Sequence, residues 1–186
     1  MASVHRVVIG ANKDKKSAVI YRDSPNHLEE AGIFWRSTLW ATTELPVDNT
    51  VPGDRSADVT VREPSGNGLF FRALEIPPDI KDTGEHIKKL QEVNKEVKQK
   101  YPPTQADLAR HPSMHRTDTL DMFTVAYGEI YLVTDTDETR LQPGDTAVVQ
   151  GVNHAWSNKS DKPCMIIGAM VHADPWPADK YPAPGL

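Results

Sequence analysis

"HRTDTLDMFTVAYG", His115–Gly128, and "PGDTAVVQGVNHAWSN", Pro143–Asn158, decide how this chain folds. His115, Thr117 and Asp121 are an even number of positions apart, so on extended backbone all three side chains point to one side. Phe123 and Val125 share that parity and are expected to line the wall of the same pocket, with Tyr127 further down. Arg116 and Asp118 fall on other surfaces, where a salt bridge or a turn hydrogen bond is their expected work. The second stretch starts with the tight turn at Pro143-Gly144-Asp145 and brings in His154, with Trp156 on the same parity as a substrate contact. Two imidazoles and one carboxylate can form a facial triad for a divalent metal, with positions left open for water or substrate.

Outward from these stretches, the chain is punctuated by proline and glycine at short intervals. The segments between are rich in Val, Ile, Thr, Phe, Tyr and Trp. "HRVVIG" and "SAVIYR" read as two strands around the turn "ANKDKK". "IFWRSTLWATTEL" reads as a longer strand with Phe34, Arg36, Thr38 and Trp40 on one face. "DVTVRE" and "LFFRALEI" read as a hairpin around "PSGNG". "MFTVAYGEIYLVTD" reads as one strand that turns at "TDTD" into "ETRLQPGD"; "TAVVQG", "HAWSN" and "PCMIIGAMVHA" follow.

One interval breaks the pattern. From Asp82 to Lys100, Ile87, Leu90, Val93 and Val97 recur at spacings of three and four, which predicts an amphipathic helix. Asp82 and Glu85 suit a capping box at its start, and "YPP" ends it. "TQADLARH" adds a short helical turn. Many short strands with one inserted helix near 82–100 predict an all-β, antiparallel sandwich or barrel. A single domain over 1–186 is expected, with an extended Pro-rich tail over 174–186.

Bulk properties narrow the function. The 186 residues, 38% hydrophobic and 25% charged, suit a globular chain with a real core. A net charge of −5 provides no electrostatic footprint for nucleic acid and no basic face for a membrane. No apolar run approaches the roughly 20 residues of a membrane span, and a cytoplasmic location is the expectation. Cys164, the single cysteine, lies in an apolar run and is expected to be buried rather than catalytic. His111 is expected in a surface loop, and His5, His27, His86 and His172 have no supporting neighbours. Trp35 and Trp40 are expected in the core or at a dimer contact. No P-loop, dinucleotide glycine fingerprint, nucleophile elbow or H-E-x-x-H stretch occurs, which argues against a nucleotide cofactor and the usual hydrolase chemistries.

The segment from Met114 to Asn158 resembles the paired signature of the cupin superfamily. The first cupin motif is H-x-H, then Glu, then Gly; here His115-x-Thr117, Asp121 and Gly128 stand in that order. The second runs from P-G to His and then Asn; here Pro143-Gly144, His154 and Asn158 stand so. The offsets from Asp121 to Gly128 and from His154 to Asn158 agree with the family's, while Gly144 to His154 is one residue short. The wider chain is similar to small single-domain cupins of bacteria and fungi.

The resemblance implies a conical antiparallel barrel, or jelly roll, with a site inside its mouth. In many cupins three His and one Glu hold a divalent metal there. Here Thr117 takes the place of a histidine, a hydroxyl being a poor ligand, and Asp121 is shorter than Glu. The ligand set that remains is His115, Asp121 and His154, for Zn, Fe, Mn or Ni. Two readings stay open: a metal on those three residues, or a metal-free polar cluster in which a His–Asp pair does acid–base work. The expected function is a small-molecule enzyme, a lyase, decarboxylase, isomerase or dioxygenase on a small oxygenated compound. His115, Asp121 and His154 are its catalytic set, and Thr117, Phe123, Val125, Tyr127 and Trp156 its substrate contacts. The alternative is a ligand-holding or regulatory domain without turnover. A homodimer is expected, with "HRVVIG" available as an exchanged strand.

Overall fold

Alternating burial along the strands builds the molecule around a cavity between two sheets. The structure, a computed structural model, describes residues 4–24, 28–30, 34–50 and 53–177. His27 and the tail from 178 onward lie outside the described residues.

Eleven strands are described: β1 Arg6–Ala11, β2 Ser17–Asp23, β3 Leu28–Glu30, β4 Trp35–Thr42, β5 Leu69–Ile76, β6 Thr119–Tyr127, β7 Ile130–Thr134, β8 Glu138–Leu141, β9 Thr146–Gln150, β10 His154–Ser157 and β11 Cys164–His172. They form an antiparallel six-stranded sheet in the order β3-β4-β5-β11-β6-β9, a three-stranded sheet β10-β7-β8, and the hairpin β1-β2. This is the all-β antiparallel architecture expected. On β6, Thr119, Asp121, Phe123 and Val125 are buried and Met122 and Ala126 exposed, the period of two that fixes one face inward. Phe123, Val125, Ile130, Ile166 and Met170 knit the two sheets into the main core, with Cys164 among them as expected.

Helix α1, Thr83–Glu96, caps on Asp82, whose side chain accepts from the Glu85 N–H. Leu90, Val93 and Val97 are buried against Phe34 and Ile80, so the helix roofs one end of the six-stranded sheet. It ends four residues before the expected Lys100, because Lys98 takes a positive φ of 52°. A second helix, α2 Gln105–Arg110, opens on a full capping box between Thr104 and Asp107.

Two readings of the sequence need correction. "DVTVRE" is not a strand. The carbonyls of Val61 and Arg62 are taken by the Arg72 guanidinium, so this backbone bonds a side chain instead of a ladder. The segment "MFTVAYGEIYLVTD" is two strands in two sheets. Gly128, at φ 77°, turns the chain between β6 and β7 where an added Cβ would sit 2.6 Å from the Pro163 carbonyl oxygen. The alternation expected for β4 is also broken, by a register shift between Thr38 and Trp40. Trp35 packs in a second cluster with Leu39, Ala73 and Met165 on the outer side of the sheet. Past β11, Trp176 lies over β9 and donates to the Gln150 carbonyl at 2.8 Å.

Candidate functional site

His115 and His154 are brought together by the backbone. Each donates its N–H to the other's carbonyl at 2.9 Å, a narrow antiparallel pair just before β6 and at the start of β10. Directly opposed residues put their side chains on the same face, and the two rings sit 4.4 Å apart. The His115 Nδ1 donates to the Ser113 carbonyl at 2.8 Å and the His154 Nδ1 to the Val152 carbonyl at 2.9 Å. A carbonyl can only accept, so both protons are fixed on Nδ1 and each neutral ring keeps its lone pair on Nε2. Burial drives the His115 imidazole well below its usual pKa, with His154 adding to the effect. Burial, with the charge of Arg62 adding to it, brings His154 down to about 4 against the pull of the Val152 carbonyl.

Both rings line a cavity of about 110 Å³ between the sheets, room for several waters or a small organic molecule. Thr117, Asp121, Phe123 and Trp156 line it as parity predicts. Val125 belongs to the core instead, and Tyr127 donates to Glu75, away from the cavity. Thr117 bonds Thr119 hydroxyl to hydroxyl at 2.6 Å. Arg116 lies 4.0 Å from the centre of the Tyr101 ring, and Asp118 accepts from Tyr101 and Lys100, so these two serve the structure outside the site.

Asp121 is 4% exposed and its Oδ1 has no hydrogen-bond partner. Burial raises its carboxyl to about 6; Thr119, Arg72 and Arg62 oppose that rise while Glu63 adds to it. Among the described residues, no group of three or more His, Cys, Asp and Glu is gathered closely enough to hold a metal ion. The two Nε2 atoms suit a metal, and their Nδ1–H bonds to carbonyls are of the kind that orient ligating imidazoles. The third donor does not join them, and its charged neighbours are Glu63 and the guanidiniums of Arg72 and Arg62. The residues therefore do not fit the three-donor site that the sequence resemblance implies.

Several lining residues carried no clear signal in the sequence. Arg36, Arg62, Arg72, Asp79 and His86 all face the cavity. Asp79 accepts from Ser157 Oγ at 2.6 Å and from the Asn158 N–H at 3.0 Å, and its Oδ2 lies 3.6 Å from His111 Nε2. Asn158, fully buried, donates to the carbonyls of Ile76 and Lys162. It thereby ties the mouth segment at 77–80 to the turn between β10 and β11. His111, expected in a surface loop, instead packs edge-on against His86 at 6.1 Å.

Known proteins align with this picture. Residues 97–170 match the family model described as the cupin domain. The phomopsin biosynthesis cluster protein C' of Diaporthe leptostromiformis is 34% identical over 122 residues, 65% of this chain and 51% of that protein. The phomopsin biosynthesis cluster protein D of the same organism is 52% identical over 48 residues, 25% of each chain. This chain thus spans about half the length of the first relative and a quarter of the second. Among solved structures, the cupin domain of Schizosaccharomyces pombe Cnp3 superposes with a TM-score of 0.46 at 10% identity, over 90% of this chain and 87% of that one. Among the described residues, no helix is long and apolar enough to cross a membrane. The chain carries a small cupin domain, and the His115–His154 pair sits inside it.

Proposed function

We propose that the protein is a small-molecule enzyme that moves protons on a compact oxygenated substrate at the His115–His154 pair. The observation that carries this reading is the fixed tautomer of both rings: two Nε2 lone pairs, on rings 4.4 Å apart centre to centre, in one cavity between the sheets. A substrate hydroxyl or enol would donate to these nitrogens. Asp121, brought up to about 6, stands in the same cavity with a carboxyl able to give or take a proton near neutral pH. Phe123 and Trp156, ring centres 6.1 Å apart, supply an apolar wall that limits water. Elimination, decarboxylation and isomerisation are the reaction classes that such a set serves with its own side chains. The relatives' names, both from biosynthesis clusters, support a substrate from secondary metabolism.

The test is turnover of small oxygenated compounds by the wild type and by His115→Ala and His154→Ala. Each variant is expected to lose at least about a hundredfold in kcat/KM, the usual contribution of a positioned acid or base. Unchanged turnover in His154→Ala would sink the enzyme reading. A ligand-holding domain without turnover is the second reading, favoured by the buried guanidiniums of the cavity. It is supported if binding persists with no reaction on any substrate bound.

A further inference from the structure

Three arginines converge on the cavity from separate parts of the chain: Arg36 on β4, Arg72 on β5, and Arg62 from the loop before β5. Buried guanidinium groups are expensive unless a negative charge answers them. The partners of two of them are neutral. Arg72 donates to the carbonyls of Val61 and Arg62, to Thr38 Oγ1 at 3.3 Å and to Met170 Sδ at 3.7 Å. Arg62 donates through Nη2 to Asn94 Oδ1 at 2.9 Å, and its buried Nε has no partner. Burial presses all three below their usual pKa, and Arg36 and Arg72 are pushed further by the charge on neighbouring arginines.

Two carboxylates act on this charge, Glu63 on Arg62 and Asp121 on Arg62 and Arg72. Asp79 is held by Ser157, Asn158 and His111, and Glu63 by the Asp118 N–H. Asp121 lines the same cavity, and its buried Oδ1 has no hydrogen-bond partner. The rest of the wall is apolar, with Phe34, Leu74, Ile76, Phe123, Trp156 and Met170.

We propose that the cavity binds a small organic acid, its carboxylate against Arg62 Nε in the positive field of Arg36 and Arg72 and its apolar body against Phe123 and Trp156. A carboxylate suits the planar guanidinium fork, and its carbon skeleton suits the apolar wall. Phosphate has the charge but nothing to place on that wall. Arg72 acts as a positioning residue: by gripping the carbonyls of Val61 and Arg62 it holds the loop that aims Arg62. Bound this way, the acid places a neighbouring carbon or hydroxyl in the same enclosure as the His115 and His154 Nε2 atoms. The proposal rests on the reading of this cavity as the working site and names the substrate class for it.

Calorimetry and thermal shift with acetate, propionate, succinate, citrate and benzoate test it, with the matching amides and inorganic phosphate as controls. At least one carboxylate is expected to bind with a Kd below about 1 mM, and its amide at least about tenfold more weakly. Arg62→Gln is expected to lose about tenfold in carboxylate affinity, and Arg62→Lys to fall between the two. Both should keep the wild-type circular dichroism, since Gln and Lys each retain a donor for Asn94 Oδ1. His154→Ala should retain binding, so loss of turnover there and loss of affinity in Arg62→Gln fail separately. Equal binding of acid and amide, full affinity in Arg62→Gln, no binding by any carboxylate of the series, or tighter binding of phosphate than of every carboxylate would each overturn the proposal. Binding of acids without turnover leaves this inference standing and removes the enzyme reading.

Discussion

Asp121 shows how single residues divide the labour between folding and function. Its pKa of about 6 means the folded state holds a proton that the unfolded chain, near 3.9, releases. The raised value is a cost above pH 6, and it is relieved as pH falls from about 6 toward 4. Asp121→Asn removes the charge, so it is expected to stabilise the protein by on the order of 2 kcal/mol at pH 8, a rise of several degrees in Tm. That gain should fade toward pH 4, and activity should be lost throughout. Thermal melts of both proteins from pH 4 to 8 check this; a constant difference would contradict it. His154 runs the other way. Its value of about 4, against an unfolded 6.5, means stability falls as pH drops between those limits. The separation of Asp121 from the imidazole pair carries its own expectation. Protein purified without added metal should hold less than about a tenth of an equivalent of Zn, Mn, Fe or Ni, and adding them should not raise Tm. One bound equivalent with a clear gain in Tm would show that the three donors close around an ion. At this scale the sequence reveals what parity can reach: His115, Thr117, Asp121, Phe123, His154 and Trp156 all line the cavity. Arg62, Arg72 and Asp79 were hidden because only the tertiary fold brings their segments to the site. Tyr127 left the predicted wall where a register shift between Met165 and Ile166 interrupts the β6–β11 pairing beside it, while Val125 keeps the inward face and packs into the core.

Among the elements, the strands that bury one face were legible and the exceptions were those whose hydrogen bonds go elsewhere. "DVTVRE" has a strand's alternation, but Arg72 claims its carbonyls. Gly128 falls inside a segment that reads as one strand and is a corner between two sheets. Gly128→Ala must place a methyl group 2.6 Å from the Pro163 carbonyl oxygen at a φ of 77°. It is expected to cost about 2–4 kcal/mol, read from urea unfolding. A loss below about 0.5 kcal/mol would mean the corner rearranges freely. Helix α1 was legible in full as a type and imperfectly in length, since its end depends on one lysine entering the left-handed region.

Over the whole molecule, the outer face of the six-stranded sheet is only partly covered. The Trp35 cluster closes one half, with Val4 packed on it. On the other half Phe71, Met122 and Val148 lie in one row across β5, β11, β6 and β9, Ala169 completing the register, and are 39%, 37% and 60% exposed. β9 is also the last strand in that sheet's order, and an edge strand can pair with another chain. These features support the homodimer expected from the sequence. At micromolar concentration the wild type should sediment as a dimer, and Val148→Glu combined with Met122→Lys as a monomer of unchanged circular dichroism. A monomeric wild type would refute it.

Cys164 sits at the far end of this same construction, fully buried where β11 begins, its thiol pushed by burial up to about 11. A thiol reagent therefore meets no competing cysteine and no reactive one in the closed state. Its rate of modification counts the moments when the two sheets part. The barrel carries its own clock, a single sulfur that records how often the core between the sheets comes open.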